Sequence, residues 1–157
     1  MSEIKAVPGG KIVGVKTAIF SIMNQEKYDP AAIPAAWDEF WAKFPTSGIV
    51  DQNSLYGITI PSNDFNTPMD HYVGALIEDS EPTPAGFAEY EFAAGNYFCV
   101  KHLGPISGLG ATYGLAYGQE FPAAGIEIRN APHIEIYDPS KDPMSADFEM
   151  LIGIPVN

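Results

Sequence analysis

The chain has 157 residues, 46% of them hydrophobic and 18% charged, a globular composition long enough for one buried core and too short for two comfortable ones. One cysteine, Cys99, excludes an internal disulfide and any multi-cysteine metal site. A formal net charge of −12 repels nucleic-acid and membrane phosphates, whose non-specific binding depends on cationic side chains.

In chain order, "KIVGVKTAIF" (11–20) is β-branched, follows a Pro-Gly-Gly turn and reads as a strand. In "DPAAIPAAWDEFWAKFP", Ile33, Trp37, Phe40, Trp41 and Phe44 fall on one helical stripe, with Pro34 near the first turn and Pro45 as the stop. "SLYGITIP" (54–61) and "HYVGALIE" (71–78) are two further strands. After the Pro-rich "EDSEPTPAG", the segments "FAEYEF" and "NYFCVKH" are extended and broken at Ala94-Gly95. Ile106, Leu109, Tyr113 and Tyr117 then recur at helical spacing between Pro105 and Pro122, and "HIEIYD" and "DFEMLIGIPV" close the chain as strands.

Each half thus reads strand, helix, strand, strand, so one domain over 1–157 with pseudo-repeats at about 10–78 and 87–155 is expected. A ligand cleft is expected where the halves meet. Gly110, Gly114 and Gly118 would form a stripe on the second helix, each costing about 1 kcal/mol relative to alanine. Close approach of that helix to the sheet or to a ligand would offset the cost; a broken helix is the alternative.

The motif search is largely negative. In "GLGATYG" the third glycine stands one residue late for a dinucleotide fingerprint, and no P-loop, GxSxG or HExxH occurs. No cofactor is expected. His71, His102 and His133 lie on three separate predicted strands, so no metal site is expected either. No run reaches the ~18 apolar residues of a membrane span, and the start "MSEIKAVPGG" lacks a secretory layout. A cytoplasmic protein with no membrane partner is expected. The acidity is uneven: residues 1–60 carry five Lys against six acids, and 61–157 three Lys or Arg against fourteen. Solubility, attraction of cationic ligands and engagement of a basic partner protein are its three readings.

The unusual residue is Glu135, between Ile134 and Ile136 in "PHIEIYDP". Alternation puts His133, Glu135 and Tyr137 on one strand face and the isoleucines on the other. In the last strand the same rule groups Glu149 with Leu151, so neighbouring strands would let Glu135 and Glu149 face one space. An open sheet face would leave Glu135 in water. A pocket would desolvate it and raise its pKa unless a cation or hydrogen-bond donors held the charge. Trp37, Trp41, Tyr56, Tyr72, Tyr113, Tyr117 and Tyr137 supply aromatic walls for a lipophilic cation. Ile134 and Ile136 also need burial, which requires a sheet covered on both sides or a homodimer.

Taken in succession, "IPAAWDEFWAKF", "HYVGALIED", "FAEYEFAAGNYFCVKHLGP", "ATYGLAYGQEFPAAGIEI", "HIEIYDP" and "FEMLIGIPV" resemble the GyrI-like small-molecule-binding family. That family also supplies the effector-binding domain of bacterial multidrug-responsive AraC-type and MerR-type transcription regulators. The resemblance implies an α+β fold in which duplicated β-α-β-β units form one curved antiparallel sheet with two helices and a central cleft. It maps the family's drug-facing acid to Glu135, the aromatic two residues on to Tyr137, and the last-strand acid to Glu149, with Leu151 where some members carry an aromatic. It implies a member without a helix-turn-helix domain.

The expected ligands are hydrophobic, often cationic or aromatic, xenobiotic small molecules, bound by Glu135, Tyr137, Glu149, Tyr72, Tyr113 and Trp37. Two alternatives stand beside binding. One is a hydrolase of cyclopropane-bearing DNA-alkylating compounds, with Glu135 as its catalytic residue. The other is an acidic protein-interaction role such as gyrase inhibition.

Overall fold

The computed structural model of the chain describes residues 2–21, 24–49, 55–138 and 140–157. Its strands are β1 (Ser2–Val7), β2 (Gly10–Ile19), β3 (Leu55–Ile60), β4 (Met69–Ile77), β5 (Ala88–Phe92), β6 (Gly95–Leu103), β7 (His133–Tyr137) and β8 (Glu149–Val156). They join in one antiparallel sheet in the order β1-β6-β8-β7-β3-β4-β2-β5. Read outward from the β7–β3 seam, each half presents its strands in the same sequence. The first strand of each half has crossed over: β1 pairs with β6 and β5 with β2. β1 has no counterpart in the strands expected from sequence, because "SEIKAV" offers only Ile4, Ala6 and Val7 as apolar side chains and Ile4 is 51% exposed. Of the expected strand 54–61, Ser54 lies outside the described residues.

Helix α1 (Ala32–Lys43) follows its stripe: Ala36 and Phe40, four apart, are buried, and Lys43 sits in the last turn, where a cation suits the helix dipole. It packs on β2 and β4. The second helical segment is interrupted. A 3-10 turn (Ile106–Gly108) leads into α2 (Leu109–Leu115), a π-helical turn (Ala116–Glu120) and a short α3 (Phe121–Ala124), ended by Gly125 at φ +67°. The expected close approach at the glycine stripe is not found. A Cβ placed on Gly110, Gly114 or Gly118 would meet nothing within 4 Å. These glycines face open space, and the segment is the broken helix that their low propensity allows.

Both helices cover one sheet face, where Val15, Leu55, Val73, Ala75, Ile152 and Tyr137 join the core. On the opposite face the sheet curls onto itself, which buries Ile134 without a helix, whereas Ile136 stays partly exposed. Tyr56 of β3 and Phe92 of β5 stand three strands apart in order, about 14 Å in a flat sheet, yet their rings are 5.5 Å apart. Ile12, Ile58, Tyr97, Cys99 and Ile134 are buried in the concavity. Glycines permit the curl on its inner side. Gly14 and Gly74 are register partners of β2 and β4, and a Cβ on either would come within 1.9 or 2.1 Å of a backbone carbonyl oxygen of the facing strand.

The two glycine groups are therefore expected to respond oppositely to alanine. In chemical denaturation, Gly74→Ala should lose about 3 kcal/mol of stability through backbone collision. Gly114→Ala should gain about 0.5–1 kcal/mol by lowering the entropy cost of the helix.

Candidate functional site

Strand alternation and register bring Glu135 to the helix face at the seam of the two halves. It pairs with Gly57 of β3 on one side and Ile152 of β8 on the other. The absent side chain at Gly57 makes the room: a Cβ there would lie 3.0 Å from Glu135 Oε1 and 3.3 Å from the Tyr137 hydroxyl. Both carboxylate oxygens are engaged. The Tyr113 hydroxyl donates to Oε2 at 2.5 Å and the Tyr137 hydroxyl to Oε1 at 2.6 Å.

The roof and the floor match in spacing. Tyr113 and Tyr117, four residues apart, rise about 6 Å along their helical segment, while His133 and Glu135, two apart on β7, rise about 6.8 Å. Each tyrosine therefore meets one strand residue. Tyr113 reaches Glu135, and the Tyr117 hydroxyl lies 2.8 Å from His133 Nδ1. The two tyrosine rings stack, with centroids 6.1 Å apart and planes 13° from parallel. Trp37 of α1 closes the other flank, edge-on to Tyr137 at 5.3 Å.

His102 of β6 secures α2. Its Nε2 lies 3.0 Å from the Pro105 carbonyl oxygen, which only accepts, so Nε2 carries the proton. Its Nδ1 shares a hydrogen bond with the Thr112 hydroxyl at 2.6 Å, one residue before Tyr113.

No resident cation balances Glu135: it takes part in none of the ion pairs among the described residues. Burial raises its pKa, and the hydrogen bonds from Tyr113 and Tyr137 offset that rise only in part. The surrounding groups stay neutral. Burial, reinforced by the Glu135 charge, holds Tyr113 and Tyr137 well above the usual phenol range and pushes Tyr117 up to about 12. Burial lowers His133 to about 4. The arrangement is a carboxyl group held by neutral donors inside aromatic walls.

Of the residues singled out in the sequence, Glu135, Tyr137, Tyr113 and Trp37 come together. Tyr72 and Glu149 do not join them. Tyr72 pairs with Ile58 and contacts Tyr90 at 5.0 Å on the concave side. Glu149 pairs with Leu103 on β6, which sets it on the face opposite Glu135 although β7 and β8 are neighbours. There it meets Lys101 at 3.9 Å beside an open groove of about 340 Å³ that Ile136, Asp138 and Leu151 help to line. Tyr117, one of the expected aromatic walls, and His133, expected on the face of Glu135, adjoin the Glu135 group, and Gly57 is the addition. The i, i+4 spacing of the tyrosines was visible in the sequence, but the pairing of β3 with β7 was not. Among the described residues, no cluster of three or more His, Cys, Asp or Glu is placed to hold a metal ion. No helix among them is long and apolar enough to cross a membrane.

The raised pKa carries a stability consequence. A carboxyl whose folded pKa exceeds its unfolded value holds its proton more tightly when folded, so it favours folding below the unfolded value and loses that contribution as pH rises through the folded one. Glu135→Gln, which cannot ionise, should therefore melt a few degrees above the wild type at pH 7 in the absence of ligand. The difference should shrink towards pH 4. Thermal melts across this range measure it.

Known proteins share this architecture. The chain is 23% identical over 150 residues to the transcriptional regulator BrlR of Pseudomonas aeruginosa; the match covers 90% of the chain and 54% of the regulator, so the chain spans about half of that relative's length. The structure of SAV2435 bound to tetraphenylphosphonium superposes with a TM-score of 0.75 at 16% identity, covering 100% of this chain and 94% of that one. A hydrolase encoded by lin2189 of Listeria innocua superposes with a TM-score of 0.59 at 15% identity, covering 99% and 91%. The family model of the integron-associated effector binding protein, Cass2, matches residues 3–154. By that match over nearly its whole length, the chain belongs to the Cass2 effector-binding family, within the GyrI-like group that its motifs resemble.

Proposed function

We propose that this effector-binding domain binds lipophilic organic cations at the seam of its two halves, with Glu135 as counter-charge and Tyr113, Tyr137 and Trp37 as aromatic surround. The observation that carries the reading is the uncompensated carboxyl: two neutral phenols hold it, and burial raises its pKa. A cation entering beside it would gain Coulomb energy in a poorly solvated site and contact with the negative faces of the aromatic rings. Tetraphenylphosphonium, bound by a protein of the same fold, is a suitable probe because its charge is shielded by apolar rings.

Calorimetric titration at pH 7 should show saturable binding of tetraphenylphosphonium that weakens at least about tenfold in Glu135→Gln. It should also weaken on acidification, as Glu135 takes up its proton. Equal affinity of wild type and variant at pH 7 would remove the counter-charge role.

The same raised pKa favours a second reading. A buried carboxyl whose pKa is raised is suited to assist proton transfer to or from a water, and the phenols could stabilise charge developing on a strained electrophile. The substrate class would be a cyclopropane-bearing DNA-alkylating compound, opened by water. Turnover above the spontaneous rate, absent in Glu135→Gln, would establish the hydrolase. Binding with only background hydrolysis would leave the binding protein.

A further inference from the structure

One buried side-chain polar atom lacks a partner among the described residues. His71 is 1% exposed, and its Nε2 makes no hydrogen bond, a condition uncommon enough in folded proteins to require an explanation. His71 stands on the helix face of β4, where its register partner on β3 is Thr59. Thr59 in turn pairs with His133 of β7. His133, Thr59 and His71 thus form a polar row across three adjacent strands. It runs parallel to the row Glu135, Gly57, Val73 and one two-residue step, about 6.8 Å, along the strands.

The contacts in this row fix its donors. His71 Nδ1 lies 2.8 Å from Thr59 Oγ1, and burial lowers the pKa of the ring to about 4, so it is neutral at physiological pH. A neutral ring carries its proton on one nitrogen only. A proton on Nε2 would leave a buried N–H with no acceptor. A proton on Nδ1 leaves only a bare lone pair, the less costly orphan. In that tautomer His71 donates to Thr59 Oγ1, and the Thr59 hydroxyl proton is free to point away from it. Thr59, unlike His71, is partly exposed.

Resting on the cation-binding reading above, we infer that Thr59, oriented by His71, is the donor of a second subsite on the helix face. This subsite takes a hydrogen-bond-accepting oxygen, such as a carbonyl, borne on one arm of a ligand whose cationic centre sits at Glu135. The preferred ligands are then lipophilic cations with an acceptor group about one strand step from the charge, rather than purely hydrocarbon ones.

The test compares two phosphonium cations of nearly equal shape, (4-acetylphenyl)triphenylphosphonium and (4-isopropylphenyl)triphenylphosphonium. Wild type should bind the acetyl compound about three- to tenfold more tightly, the value of one hydrogen bond. Thr59→Val should erase the preference and leave the isopropyl affinity within about twofold. Thr59→Ser, which retains the hydroxyl, should keep the preference. Equal affinities in wild type, or a preference that survives Thr59→Val, would overturn the subsite and leave the role of Glu135 standing. Failure of both cations to bind wild type would overturn the subsite together with the cation-binding reading.

Discussion

The site depends on a carboxyl group stabilised without being neutralised. Two phenol hydroxyls donate to Glu135, and hydrogen bonds to a charged acceptor are each worth about 1.5–3 kcal/mol. Yet burial still raises its pKa, so the hydrogen bonds do not replace the lost water completely. The remaining deficit is electrostatic. A positive charge would remove it, and His133, on the same face of β7, is kept neutral by its own burial. On the proposed reading, affinity for a cation would draw on this same deficit.

The fold creates this situation through the curl of the sheet. By folding onto its glycine-lined side, the sheet buries Ile12, Ile58 and Ile134 internally and leaves the other face to the helices. The seam between β3 and β7 then runs beneath both helices, and Glu135 lies on it opposite Gly57. A side chain at position 57 would compete with the carboxylate and the Tyr137 hydroxyl for the same space. The stacked Tyr113 and Tyr117 follow the strand residues because helix and strand advance by nearly the same distance between them.

Much of this was legible in the chain. Period-two alternation places Glu135 and Tyr137 on one face, and the stripe through Trp37 and Phe40 identifies the first helix. What alternation cannot supply is register between strands distant in sequence. Within β8, Glu149 is one residue out of phase with Met150 and Ile152, which share the face of Glu135; only the pairing of Glu135 with Ile152 reveals this. Tyr72 is misplaced for the same reason, since its face is fixed by its pairing with Ile58. β1 was missed because its pairing with β6, rather than an apolar pattern of its own, makes it a strand. The glycine stripe of α2 misled in the other direction. Spacing showed where the glycines line up but not that they line up towards solvent.

Phenols hold Glu135 differently from a basic residue. An arginine beside Glu135 would hold the carboxylate as a bidentate pair and keep its pKa low, but it would also act as an intramolecular competitor at high effective concentration. A ligand would then have to break a resident ion pair before gaining its own. Tyrosine hydroxyls avoid that competition, because they solvate the anion without carrying charge and because their rings present negative faces to a cation. The later part of the chain adds a long-range bias, with fourteen acids against three basic residues over 61–157. That field is screened beyond about 10 Å at 0.1 M salt, so it attracts cations without discriminating among them. On the proposed reading, discrimination would fall to the contacts at the seam, where a bulky apolar cation would meet the aromatic rings and a small hydrated one would lose its water with nothing in exchange.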